Sequence, residues 1–226
     1  MQLRHDPQGG WLHLRQMAGL LLKNALCNPP MNKQTNTKMR LLPDAAQELK
    51  IILCQSIVDE NDAVRKVSSS IIASCTVGTN VMEGMEPLPL SEWGSILTPF
   101  LVNCLESAIG IMEGSSTSKS MENKVKYALL GSLMTLSKVL EDDASKFEKY
   151  GGPAFNKIVP CVLKLLNVCA EQTVKVDSLK CCLNMIDIMP GSLTAQMNDF
   201  LGVLSSLGND GNSQIRQLVC RSIVTM

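Results

Sequence analysis

Residues 13–24 read "HLRQMAGLLLKN", an apolar helix face that keeps Arg15 near one end and Lys23 at the other. Taking Leu14 as an anchor, apolar or small residues continue at Ala18, Leu21, Leu22 and Ala25. That spacing of i, i+4, i+7/8 and i+11 puts them on one side of a helix. The same register returns at Val64, Ser68, Ile71, Ile72 and Cys75, at Val174, Ser178, Cys181 and Met185, and at Ile215, Val219 and Ile223. A looser copy runs through Val125, Leu129, Leu133 and Leu136. A cation follows every anchor directly: Arg15, Arg65, Lys126, Lys175 and Arg216.

The anchors at 14, 64, 125, 174 and 215 lie 50, 61, 49 and 41 residues apart, at or somewhat above the period of roughly 40–47 residues of two-helix HEAT repeats. Between them lie further apolar helical segments at 41–57, 92–110, 153–169 and 193–207. Each is followed by a polar break, where Asp59, Asp62 and Asp210 are expected to cap the next helix. A helical hairpin of this kind cannot bury its apolar face alone, so neighbours must stack. The pattern predicts an all-α fold, a right-handed α-solenoid of about four and a half HEAT repeats. Residues 1–226 form one domain in this reading, with a helix at 10–26 and hairpins at 41–76, 92–141, 153–189 and 193–226. The opening helix reads as the second of a hairpin and the chain stops in mid-helix, so a piece of a longer protein is expected.

Composition agrees. Aromatics are 4% of the chain while Leu, Met, Cys and Ile abound, which favours helices packed by aliphatic ridges over strands. Lys+Arg and Asp+Glu both number 21, so no net field draws the chain to nucleic acid or to a membrane surface. The nine cysteines contain no CxxC pair and fall mostly in apolar stretches, as reduced, buried thiols of a cytosolic or nuclear protein do. Vicinal Cys181 and Cys182 point about 100° apart on a helix, which leaves one of them to the core. His5 and His13 stand far from most cysteines, so neither a metal site nor a cofactor is expected. The uninterrupted apolar runs are short against a membrane span, and the N-terminus has no signal-peptide core. No nucleophile has a histidine placed to meet it and no glycine-rich phosphate loop occurs, so the chain does not read as an enzyme.

Three loops stand out, at 28–38, 78–90 and 110–123. The last contains the Ser-rich stretch 113–121, which offers little to bury.

Several stretches resemble the importin-beta (karyopherin-beta) superfamily of nuclear transport receptors, within it the transportin branch. They are "RQMAGLLLKN" at 15–24, "EWGSILTPFLVNCLES" at 92–107, "LSKVLEDDASKF" at 136–147, and "NKIVPCVLKLL" at 156–166 through "IRQLVCRSIV" at 215–224. Their order and spacing match the family over nearly the whole chain. Gly94 stands where the family usually has proline, the Ser-rich loop is longer, and the first repeat is missing. The resemblance implies a nuclear import receptor that shuttles between cytoplasm and nucleus. Its N-terminal arch would bind the GTPase Ran in its GTP form and couple that binding to release of cargo held by later repeats. It implies Ran-binding roles for Lys23, Glu141 and Asp142. It also implies nucleoporin Phe-Gly segments as partners, in slots between hairpins near Trp11 or Trp93.

Lys23, near a helix C-terminus, also reads as an end charge that complements the dipole. Arg15, Arg65, Lys175 and Arg216 recur with the core period, as a structural ladder to neighbouring Asp or carbonyl groups would require. The alternative function is a HEAT-repeat scaffold or adaptor, such as a phosphatase regulatory subunit.

Overall fold

A computed structural model of the chain describes residues 7–27, 31–32, 37–38, 43–77, 90–114 and 119–226. Helices α1 (Pro7–Cys27), α2 (Pro43–Ser56), α3 (Asp62–Val77), α4 (Leu90–Glu113) and α5 (Lys119–Phe155) are followed by α6 (Ile158–Val168) and α7 (Gln172–Ile186). A short α8 (Gly191–Ala195) then leads into α9 (Met197–Leu207) and α10 (Ser213–Thr225). Two-residue strands β1 (Met31–Asn32) and β2 (Thr37–Lys38) pair antiparallel between α1 and α2. Pro7 and Pro43 open their helices, where a missing N–H has no intrahelical partner to lose.

The packing separates into two layers. Helices α1, α3, α5, α7 and α10 each rest on the next, forming an inner row that holds every anchor. Helices α2, α4, α6 and α9 form the other row, and each packs on the inner helix that follows it. The core lies between the rows: Leu53, Ile57, Leu97, Leu101, Leu105, Leu133, Leu136, Leu165, Leu179 and Phe200 are all at most 2% exposed. The architecture is therefore an all-α solenoid, in which each element meets its neighbours in the stack.

Two details depart from the sequence reading. Asn61 and Asn212, rather than the aspartates, accept the capping hydrogen bonds, from the amides of Ala63 (3.0 Å) and Gln214 (2.8 Å). The aspartates two residues earlier instead accept the amides of those asparagines and turn outward to cations. Helix α5 also continues past Asp142 to Phe155, with backbone breaks at Asp143 (φ −162, ψ 85) and Gly152 (φ 56, ψ −149). Its continuation is held by buried Ala144, Phe147 and Phe155, whose two rings meet edge to face at 5.8 Å. Glycine alone adopts the Gly152 conformation readily. The segment from 153 is thus the end of α5, and α6 begins at Ile158.

One stretch, Ile96–Glu113 of α4, is apolar and long enough by length and composition to cross a bilayer, with mean hydropathy 1.3. Polar uncharged residues such as Thr98 and Asn103 break up its apolar runs in the sequence. Leu97, Leu101 and Leu105 turn it into the core, against α5 and α6. The loop stretches 28–30, 33–36, 78–89 and 115–118 lie outside the described residues, as do the side chains of Trp11, His13 and Trp93.

Candidate functional site

The recurring cations lie at the junctions between repeats. Arg15 pairs with Asp59, in the turn before α3. Lys126 reaches Glu171 before α7 at 3.1 Å, and Lys175 reaches Asp210 before α10 at 3.3 Å. Arg65 is 4% exposed; its Nη1 donates to the Asp59 carbonyl at 2.7 Å and the Glu60 carbonyl at 2.9 Å. The Tyr127 ring lies over its guanidinium at 5.3 Å. Arg216 repeats the same local geometry, donating to the carbonyls of Asp210 (2.7 Å) and Gly211 (3.1 Å). The Asn212 amide, followed by the Lys175 contact, holds the Asp210 carboxyl below the usual carboxylate range. Lys66 does the same for Asp62.

Polar links also cross the inner row. Thr135 Oγ1 donates to the Gly131 carbonyl, so Ser69 is the donor in their 2.8 Å bond between α3 and α5. Asn184 Nδ2 donates to the Ser137 carbonyl at 3.0 Å, joining α7 to α5. Lys23, near the end of α1, donates from Nζ to Ser70 Oγ of α3 at 2.7 Å.

That lysine opens a charged edge. Glu141 and Asp142 are exposed, one helical residue before the break at Asp143. Partial desolvation raises the Asp142 carboxyl above its ordinary range, and the neighbouring Glu141 charge adds to the rise. Lys138 and Lys23 pull it back. The fold therefore brings Lys23, from α1, into the electrostatic reach of Asp142, from α5, across the intervening α3. Carboxylates at a helix C-terminus oppose its dipole, so the acidic pair contributes nothing to the end of its own helix.

Sequence reasoning missed two members of this edge. Lys138 stands four residues before Asp142, a helical spacing that could have flagged it. Ser70 had no signal, since only the packing of α1 on α3 sets it under Lys23.

The thiols are inert by environment. Burial pushes Cys54 and Cys161 up to about 11 and Cys182 up to about 12. Both Cys181 and Cys182 are fully buried, because α7 is enclosed by α5, α6 and α10. In the outer row, α6 and α9 leave an open groove of about 450 Å³, lined by Pro160, Leu163, Asn167, Asn198, Gly202 and Val203 among others.

The chain is similar to transportin of Dictyostelium discoideum, at 26% identity over 216 residues. The match covers 95% of this chain and 19% of the length of that protein. No protein-family model matches the chain. The similarity and the two-layer helical stack together support a relationship to transportin and importin-beta-like proteins.

Proposed function

We propose that the chain is the Ran-binding part of a transportin-like import receptor, with Lys23, Glu141 and Asp142 as contacts to Ran in its GTP form. The observation that carries the reading is the approach of Lys23 to Asp142: three residues chosen from separate motifs meet at one edge of the inner row. A mixed edge of one lysine and two carboxylates selects a partner surface with the opposite charge order, which favours specificity and encounter rate. Binding there is coupled to cargo release through bending of the stack, as small rotations between repeats add along a solenoid. No reaction is catalysed; the work is conformational. The receptor shuttles between cytoplasm and nucleus, and the groove between α6 and α9 is its place for nucleoporin Phe-Gly segments, with Leu163 and Val203 as apolar floor. Cargo proteins bind later repeats of the full-length receptor.

The test compares Ran carrying a non-hydrolysable GTP analogue with Ran-GDP, binding to this chain and to a full-length receptor that contains it. Binding selective for the GTP form, weakened about tenfold or more by Lys23→Glu (roughly 1.4 kcal/mol), is expected in the full-length protein. Binding that ignores the nucleotide, or none, sinks the reading.

A further inference from the structure

In the inner row, residues one, five and eight places after an anchor face the helix that follows. For α1 these are Arg15, Gly19 and Leu22: Arg15 pairs with Asp59, a Cβ on Gly19 would press on Val67 of α3, and Leu22 packs on the core. For α3 they are Arg65, Ser69 and Ile72, exposed by 4%, 0% and 0%, with Ser69 bonded to Thr135 of α5. For α7 they are Lys175, Leu179 and Cys182; the cation holds Asp210 and the other two are fully buried.

Helix α10 carries Arg216, Cys220 and Ile223 in the same register, and all three are exposed, Ile223 by 54%. Among the described residues, Arg216 bonds the carbonyls of its own turn and no carboxylate. The stripe thus has the composition of a repeat junction, a cation above small and apolar side chains, without the helix that covers it elsewhere.

We infer that Arg216, Cys220 and Ile223 form a docking surface for a partner's helical hairpin, packed as a further repeat, whose turn presents a carboxylate to Arg216. The inference is independent of the Ran reading. Continuity with the described junctions defines the occupant: Asp59 and Asp210 stand five residues before the anchors Val64 and Ile215, each two residues before a capping asparagine. A second copy of this chain does not fit, because Gly9 occupies the position five before Leu14, so its α1 end brings no carboxylate there.

Cys220, the exposed free thiol among the described residues, supplies the readout. The probe is the chain's own hairpin: residues 186–226 are repeated directly after Met226, with Cys220→Ser in the added part. The added anchor then falls 41 residues after Ile215, the interval that separates Val174 from Ile215. Pulsed alkylation of the original Cys220, read by peptide mass spectrometry, is expected to slow roughly tenfold or more relative to the 226-residue chain, as burial in a packed junction suppresses access. Asp210→Ala in the added turn alone should restore about threefold of that rate, the size of one partly exposed ion pair. Unchanged alkylation overturns the proposal, as does an extension that adds no helix by circular dichroism. Protection of Cys220 in the unextended chain that rises with concentration, with dimers in sedimentation, would overturn the acidic hairpin in favour of a second copy.

Discussion

The turn before α3 and the turn before α10 contain the same hydrogen bonds in different surroundings. Asp59 and Asp210 each accept an asparagine amide at 2.9 Å, and Arg65 and Arg216 each donate to the aspartate carbonyl at 2.7 Å. Yet Arg65 is 4% exposed, beneath Tyr127 and α5, while Arg216 lies open to solvent. The local sequence determines the bonds, and the covering helix determines what they are worth. A covered guanidinium acts in a low dielectric and leaves carbonyls unsatisfied when removed, whereas an open one is replaced by water.

Gly131 allows α5 to cover the first turn, since a Cβ there would overlap the Ile57 carbonyl and crowd Arg65 Cδ at 3.2 Å. Gly131→Ala should therefore cost the most, about 3 kcal/mol, seen as a fall in urea midpoint at constant slope. A neutral result would mean that the α3 turn is covered no more tightly than the α10 turn. Next, Arg65→Ala should destabilise by about 2 kcal/mol and Arg216→Ala by less than about 0.5; equal losses in urea titrations would break the comparison. The caps sharpen it from the other side. Asn61→Ala and Asn212→Ala should each cost about 1 kcal/mol and to the same degree, because capping is local; a large gap between their thermal midpoints would show that burial reaches the cap as well.

The smallest effects carry the sign of charge. Asp62 and Asp210 have lowered pKa values, so their stabilisation is present above the unfolded value near 4 and is lost as pH falls through the folded one. Asp142 has a raised pKa, so its carboxylate opposes folding at neutral pH, and the penalty is relieved as pH falls through the raised value. Asp142→Asn should stabilise by roughly a few tenths of a kcal/mol at pH 7, after discounting for solvent screening, and by less on acidification. Midpoints measured across that range would refute this if the gain grew as pH fell.

The inner row was legible because its register is local: an anchor, a cation and small residues four and seven places on survive any rearrangement of loops. The outer segments were legible as apolar runs. The choice of asparagine over aspartate as cap was not, since both residue types suit the position and only the cation opposite decides which carboxylate is taken elsewhere. Nor was the extent of α5, because "GGPAF" at 151–155 reads as a break until Phe155 finds Phe147. At the charged edge, Lys23 and Asp142 were picked through a resemblance, and their approach across α3 depends on stacking geometry that no spacing in the chain encodes. Gly131 carried no signal at all, as its need arises from a carbonyl contributed by another hairpin.

The order of packing in the two rows has a consequence for synthesis. Each inner helix rests on the inner helix before it and on the outer helix just made, so every surface a new hairpin needs is complete when it leaves the ribosome. Sequence-local topologies of this kind fold quickly and with little loop to close. The chain can therefore be laid down from its N-terminus one hairpin at a time, with each finished repeat acting as the template for the next and little apolar surface waiting for distant partners.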